Sequence, residues 1–411
     1  AIHPLLKTPQ PPRAMNHPLD VAVAFDKRTI DPPRQKVDYA PERANKLVEG
    51  FMRQVDREKL KHLNLVIPYN CEELRKHWWS TRDGRRKLAI IGAEPLTING
   101  SKYYCIVRSD HKPKLDNSHV DTVPPGQLVT AHHPFWTSLF APIFQGVLVK
   151  LLACLKPNIV MNTRVTWEEL HGIIDSRLSN VAFQSMELDI SKYDKSQDSV
   201  MLEAQCRLFK EFGLDNTLIE MWKQFHELCL LTSPGYGVTY KVGYQRRSGD
   251  SLTWLGNTIV LIMVLAYLYP IEEAYLVLVG GDDNNCCFPI STNIRDQSTI
   301  AAEELNFELK VLCLKDSMYF SSRFIILTRY GWITVADPVK LIIRLGRSDL
   351  QGYDHLNAIH DAWKELHYFY LDPEVRTVID EATVSRYNVV LSKQLKTVRC
   401  FIDAIAAITN D

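Results

Sequence analysis

The feature that most constrains this chain is a strand-like run, Tyr275 to Val279, that turns over at Gly280-Gly281-Asp282-Asp283-Asn284 and continues through Cys286 to Ile290. Gly, Asp and Asn are what tight turns select, so the stretch predicts an interior β-hairpin with two carboxylates at its tip. Turn chemistry alone accounts for those acids when the hairpin is taken by itself. A second short strand, Met186 to Ile190, carries Asp189 among apolar residues, where an ionised carboxylate is costly unless it is paired or holds a cation. Two separate strands ending in acid can converge on two Mg²⁺ ions, typically about 3.5–4 Å apart, that clamp the attacking and leaving oxygens of a phosphoryl transfer.

Around these two strands the pattern alternates helix and strand. The first stretch, through about Arg34, carries Pro4, Pro9, Pro11, Pro12, Pro18, Pro32 and Pro33 and predicts an extended strap. Ala40, Ala44, Leu47, Val48, Phe51 and Val55 fit one helical face within Tyr39 to Leu63, and Leu88 to Val107 alternates strand-like runs with an Asn99-Gly100 turn. Helices are predicted over Pro134 to Leu155, over Trp167 to Ile174, from Met201 to a stop at Gly213, and over Leu252 to Leu268. Phe324 to Leu327 and Trp332 to Val335 read as another hairpin, Asp337-Pro338 as a helix cap, and the remainder as helical.

The 411 residues are 46% apolar, which excludes a disordered or fibrous chain. Lys+Arg 48 cancels Asp+Glu 48, so any polyanion site must be a local concentration of charge. Such concentrations flank the acids: Arg108, Lys112 and Lys114 after one strand, Lys192 and Lys195 around Asp194, and Arg246-Arg247 before Ser248. Solvated surface is the ordinary reading of each cluster alone. The nine cysteines show no zinc-ligand spacing and read as free thiols. The most apolar run, Ile259 to Leu268, falls far short of the roughly 20 residues of a membrane span, and no secretory signal opens the chain. A start at Ala1 predicts a segment of something longer.

Asp194 reads either as a helix cap or as a site residue. Thr253 and Asn257 lie one helical turn apart after the flexible Ser248-Gly249. A helical Asn is commonly a satisfied core group, yet an Asn and an Asp together near a metal can hydrogen-bond a ribose 2′-OH, the group that separates RNA from DNA.

Taken in order and spacing, ELDISKYDKSQ (Glu187 to Gln197), YQRRSGDSLTWLGNT (Tyr244 to Thr258) and GGDDN (Gly280 to Asn284) resemble motifs A, B and C of viral RNA-dependent RNA polymerases of the alphavirus-like superfamily. The nearest likeness is to replicases of tobamoviruses and related plant viruses. KPKLDNS (Lys112 to Ser118) resembles the basic fingers motif, NFELK (Asn306 to Lys310) motif D, and DPVKLIIRLG (Asp337 to Gly346) the start of the thumb, whereas Ala131 to Ala141 departs from the family pattern. The resemblance implies an α/β (α+β) right hand divided as 1–185 strap and fingers, 186–212 palm, 213–244 fingers insertion, 245–325 palm and 326–411 thumb. It implies that Asp189 and Asp282, supported by Asp283, hold Mg²⁺, with Mn²⁺ as an alternative. Asp194 and Asn257 would select ribose, and Ser248, Gly249 and Thr253 would cradle template and nascent pair. Arg108, Lys112, Lys114 and Arg247 would meet the triphosphate, and Lys310 or Lys315 would protonate pyrophosphate. Implied partners are RNA template and nascent strand, nucleoside triphosphates, methyltransferase and helicase regions of a replicase, and host membrane factors, with no DNA. The implied location is the host cytoplasm, in membrane-associated complexes reached through those partners.

Three rivals keep the acidic hairpin. A palm-fold nucleotide cyclase would lack the Asp194–Asn257 pair, a reverse transcriptase would carry an aromatic residue where Gly280 stands, and a non-catalytic RNA-binding scaffold would not need acids at both Asp189 and Asp282.

Overall fold

The computed structural model describes residues 17–30, 40–108, 126–315, 317–344, 357, 361 and 372–387. Its helices are α1 (Pro18–Thr29), α2 (Ala40–Met52), α3 (Arg57–Val66), α4 (Glu72–Ser80), α5 (Gly84–Ile91), α6 (Pro134–Cys154), α7 (Trp167–Leu178), α8 (Tyr193–Ser196), α9 (Ser199–Glu211), α10 (Asn216–Glu227), α11 (Thr253–Leu268), α12 (Ser298–Leu305), α13 (Pro338–Arg344) and α14 (Pro373–Tyr387). Its strands are β1 (Lys102–Arg108), β2 (Gln127–His132), β3 (Ile159–Met161), β4 (Phe183–Ile190), β5 (Cys229–Ser233), β6 (Val238–Val242), β7 (Leu276–Gly280), β8 (Asp283–Pro289), β9 (Leu309–Lys315), β10 (Ser317–Phe320), β11 (Arg323–Thr328) and β12 (Gly331–Ala336).

A five-stranded sheet of order β3-β7-β8-β4-β9 forms the centre. Apolar residues on both faces of its strands require cover on both sides. Along β7, Val277 and Val279 enter the larger core, with α2, α6, α9 and α11, while the alternate Leu276 and Leu278 enter a second core with α7 and the β10-β11-β12 sheet. Helix α11 is apolar around its whole circumference and is buried along nearly all its length, as a central core helix must be. A third sheet, β2-β1-β5-β6, closes a separate small core with Val21, Ala24 and Phe25 of α1.

Helix α6 is long and apolar enough, by length and composition, to cross a bilayer. Here Phe140, Phe144, Val147 and Leu151 lie in the main core, so its apolarity is that of a core helix.

Several elements depart from the sequence expectations. The proline-rich start contains a helix: Pro18 takes the first helical position, where its missing N–H is no loss, while His17 and Asp20 cap the turn reciprocally. The face predicted from Tyr39 to Leu63 is two helices, because Asp56 caps a new one by accepting from the Lys59 N–H. Leu88 to Ile91, expected as strand, ends α5, and β1 begins only after Asn99, whose side chain accepts from the Ser101 N–H. The boundary drawn at 185/186 falls inside β4, and that at 325/326 inside β11. Strand β3 and helix α7, grouped by sequence with the fingers, pair or pack with the central sheet.

Candidate active site at the hairpin tip

The β7–β8 hairpin closes with Gly280 paired to Asp283, leaving Gly281 and Asp282 as its two-residue tip. Gly281 has φ +68°, a backbone state natural to glycine, and its N–H donates to Thr258 Oγ1 of α11 at 2.8 Å. The core helix thereby fixes the tip.

Strand β4 lies between β8 and β9. Its ladder with β8 runs from Phe183↔Pro289 to Met186↔Cys286, then yields to a side chain: Asn284 Oδ1 accepts from the Leu188 N–H at 3.0 Å and Asn284 Nδ2 donates to the Leu188 carbonyl at 2.8 Å. One amide thus replaces a strand partner just before the acids emerge. Extending the register sets Asp189 at the level of Asp283, beside the Asp282 tip, and both Asp189 and Asp282 are exposed. On the other side Lys310 is the cross-strand partner of Asp189, and Lys315 that of Gln184.

Asp194 and Asn257 meet: Asn257 Nδ2 donates to Asp194 Oδ1 at 2.8 Å. Burial raises the Asp194 carboxyl above its ordinary range; Asn257 and the Arg246 charge oppose this, and the nearby Asp282 charge adds to it. Burial also drives the Tyr193 phenol well up, and its hydroxyl donates to the Asn257 carbonyl.

The segment before α11 presses against β2. Ser248 Oγ accepts from the Thr130 N–H and donates to the Leu128 carbonyl, both at 3.2 Å. A Cβ on Gly249 would come within 2.4 Å of the Thr130 carbonyl oxygen, so only glycine fits that approach. Thr253 Oγ1 donates to the Arg247 carbonyl at 2.6 Å and to the Asp250 carbonyl at 3.0 Å, tying the segment into a turn. Asp250 is buried against His226, Nε2 to Oδ2 2.7 Å. Burial alone would raise the Asp250 carboxyl, but the His226 hydrogen bond and charge outweigh it and hold it below the ordinary value.

The basic clusters divide differently from the sequence expectation. Arg247, assigned to the triphosphate, is 1% exposed, with its guanidinium donating to the Val242 carbonyl and lying over the Tyr103 ring. Arg246 is buried too, and Lys195 Nζ donates to the carbonyls of Asp26 and Lys27 at the end of α1. These cations cap and cross-link the interior. Arg108 ends β1, while Lys112 and Lys114 fall outside the described residues. Sequence reading missed Asn284, Thr258, Gln197 and the buried side of Arg246; Asn284 lies in the polar start of β8, Asp283-Asn284-Asn285, where it reads as part of the turn.

Among the described residues no group of three or more His, Cys, Asp or Glu is spaced to form a metal cage. Mg²⁺ does not need one, because it is held by one or two carboxylates together with water and substrate phosphates. The exposed, hard-oxygen pair Asp189 and Asp282 fits that habit.

A family model described as RNA dependent RNA polymerase matches residues 1–410. The chain is 28% identical over 366 residues to a replicase large subunit of Tobacco rattle virus (strain SYM), covering 87% of this chain and 21% of that protein. It is 32% identical over 290 residues to a replicase large subunit of Pepper mild mottle virus (strain Japan), covering 68% and 18%. It is 26% identical over 398 residues to an RNA-directed RNA polymerase of Barley stripe mosaic virus, covering 94% and 50%. The chain thus spans about a fifth of the length of the replicase large subunits it matches. The crystal structure of an insertion-loop deletion mutant of a human picobirnavirus RNA-dependent RNA polymerase superposes with TM-score 0.53 at 13% identity, over 75% of this chain and 62% of that one. The fold is shared with that polymerase.

Proposed function

Because this chain belongs to the RNA-dependent RNA polymerase family, we propose that it is the polymerase segment of a positive-strand RNA virus replicase. It extends RNA on an RNA template by transferring a nucleotide to a 3′-OH and releasing pyrophosphate. The observation that supports this reading is the β4–β8 pairing, which on extension sets Asp189 level with Asp283 next to the Asp282 tip, with Lys310 across β4–β9 from Asp189.

Asp189 and Asp282 would hold Mg²⁺, with Mn²⁺ as an alternative and Asp283 in support. Bound there, the cation supplies charge that acidifies the 3′-OH and neutralises the phosphates. The protein's own groups do the rest. The Lys310 ammonium can give a proton to the departing pyrophosphate oxygen, and its charge favours the anion that forms there. Asp194 and Asn257 read the 2′-OH of the incoming nucleotide. Thr258 and Asn284 hold the acid-bearing turn and strand, and Ser248, Gly249 and Thr253 shape the segment along which template and nascent pair lie. Arg108, Lys112 and Lys114 remain the basic contacts proposed for the triphosphate. The central sheet with α9 and α11 serves as palm, the elements before it and between Gly213 and Tyr244 as fingers, and the segment after β12 as thumb.

Substrates are nucleoside triphosphates and RNA; replicase methyltransferase and helicase regions and host membrane factors are the partners of the longer protein, in cytoplasmic membrane-associated complexes. Incorporation of labelled nucleotide on an RNA template, with and without Mg²⁺, tests the reading. Cyclic nucleotide from GTP alone would assign the site to a cyclase, and binding without incorporation to a scaffold.

A further inference from the structure

Arg246 lies at the centre of a buried polar cluster. Its Nε donates to Asn257 Oδ1 at 3.1 Å, and one terminal nitrogen donates to Gln197 Oε1 at 3.0 Å and also to Gln205 Oε1. A guanidinium has five donors and no acceptor, so every amide beside it must present its oxygen. Each amide nitrogen then faces away. Gln205 Nε2 donates to the Met201 carbonyl at 3.0 Å, Gln197 Nε2 to Asn257 Oδ1 at 2.8 Å, and Asn257 Nδ2 to Asp194 Oδ1 at 2.8 Å.

The oxygen of Asn257 is therefore saturated by two donors from inside the protein. One N–H of its amide is spent on Asp194, and the other is left for a ligand. A free amide can present either end, since its oxygen and nitrogen are nearly the same shape. Here the choice is made by a cation behind it.

A second observation shows that the cation's place is built. Glycine at 256, inside α11, leaves the helix bare where the guanidinium lies; a Cβ there would meet three Arg246 guanidinium atoms, each at 2.8 Å. Glycine is otherwise a poor choice for a helix interior. The Arg246 N–H also donates to the Asp194 carbonyl at 2.9 Å, so the same residue holds both members of the pair.

We infer that Arg246, lying on Gly256, is the positioning residue that orients Asn257 and thereby sets the preference for ribonucleotides. The inference deepens the ribose-pair reading above and rests on it. Arg246 itself touches no substrate; it works through the direction in which Asn257 presents its amide.

The test is the ratio of kcat/KM for a ribonucleoside triphosphate to that for its 2′-deoxy analogue, measured on an RNA template with the full chain. Loss of folded protein lowers both terms and cancels in the ratio. Gly256→Ala displaces the guanidinium while improving the helix, and Arg246→Gln removes the donor fork; each should lower the ratio about tenfold, the scale of one charge-assisted hydrogen bond. Arg246→Lys keeps the charge without the planar fork and should fall between. If Asn257→Ala lowers the ratio while Gly256→Ala and Arg246→Gln leave it at the unmodified value, Arg246 is only a core cation. If Asn257→Ala leaves the ratio unchanged as well, the ribose-pair reading is wrong and this inference goes with it.

Discussion

Lys310 stands directly across the β4–β9 pair from Asp189, so the two exposed side chains emerge on one face. Lys315 faces Gln184 instead, five residues along the strand and about 17 Å away at the rise of an extended chain. The sequence left these two lysines equivalent, and only the register separates them. Lys310→Ala should lower kcat about 100-fold, the usual contribution of a general acid, and Lys315→Ala should leave it near the starting value. Equal losses from both would remove Lys310 from the mechanism.

Asp189→Asn and Asp282→Asn should each abolish RNA synthesis while melting temperature holds or rises slightly, because both carboxylates are exposed and close in register. The double variant should be no worse than either single one, as expected of ligands that act as a unit. Synthesis by either purified variant at the unmodified rate would sink the assignment.

Asn284→Leu keeps the branched side-chain shape but deserts both polar backbone groups of Leu188. A cost of about 2–4 kcal/mol is expected from two buried unsatisfied groups, with a loss of kcat as the acids lose their spacing. Denaturant unfolding and primer extension measure the two effects; full stability would show that the ladder simply closes over the gap.

The buried His226–Asp250 pair calls for a double-mutant cycle. His226→Phe strands the Asp250 carboxylate and should destabilise by about 3–5 kcal/mol, and adding Asp250→Leu should recover much of it. Additive losses would mean that the two groups do not act as a pair.

Lys150 has its Nζ donating to Asn64 Oδ1 and to the Phe212 carbonyl, and burial pulls its ammonium down to about 8. Between that value and the ordinary lysine pKa the unfolded chain binds the extra proton, so this group adds stability as pH rises from about 8 to 10. The difference in denaturation midpoint between the parent and Lys150→Met should therefore shift in the parent's favour over that window. A constant difference would show that the amine stays charged in place.

Much of the site was legible because short strings fixed it. The GGDDN turn and the acid at 189 each followed from local chemistry, and the Thr253–Asn257 spacing put both residues on one helix. Local rules failed where side chains act across the chain. Arg246, Arg247 and Lys195 look like surface cations in sequence, yet their partners are carbonyls, amides and rings from distant segments. Asn284 belongs to the turn string GGDDN in sequence, while its target, Leu188, lies 96 residues earlier. The helix at Pro18 hides among prolines because proline at the first helical position costs no hydrogen bond.

Glu187, two residues before Asp189, is held by Arg386 of α14 through both guanidinium ends, 199 residues downstream. A ribosome adding about 5–20 residues per second needs on the order of 10–40 s to travel that distance. For that interval the nascent β4 lacks its ion-pair partner and, at first, the strands on either side of it, β8 and β9. Slower translation between Glu187 and Arg386 thus lengthens the stage in which the new strand is open to chaperones and proteases, and faster translation shortens it.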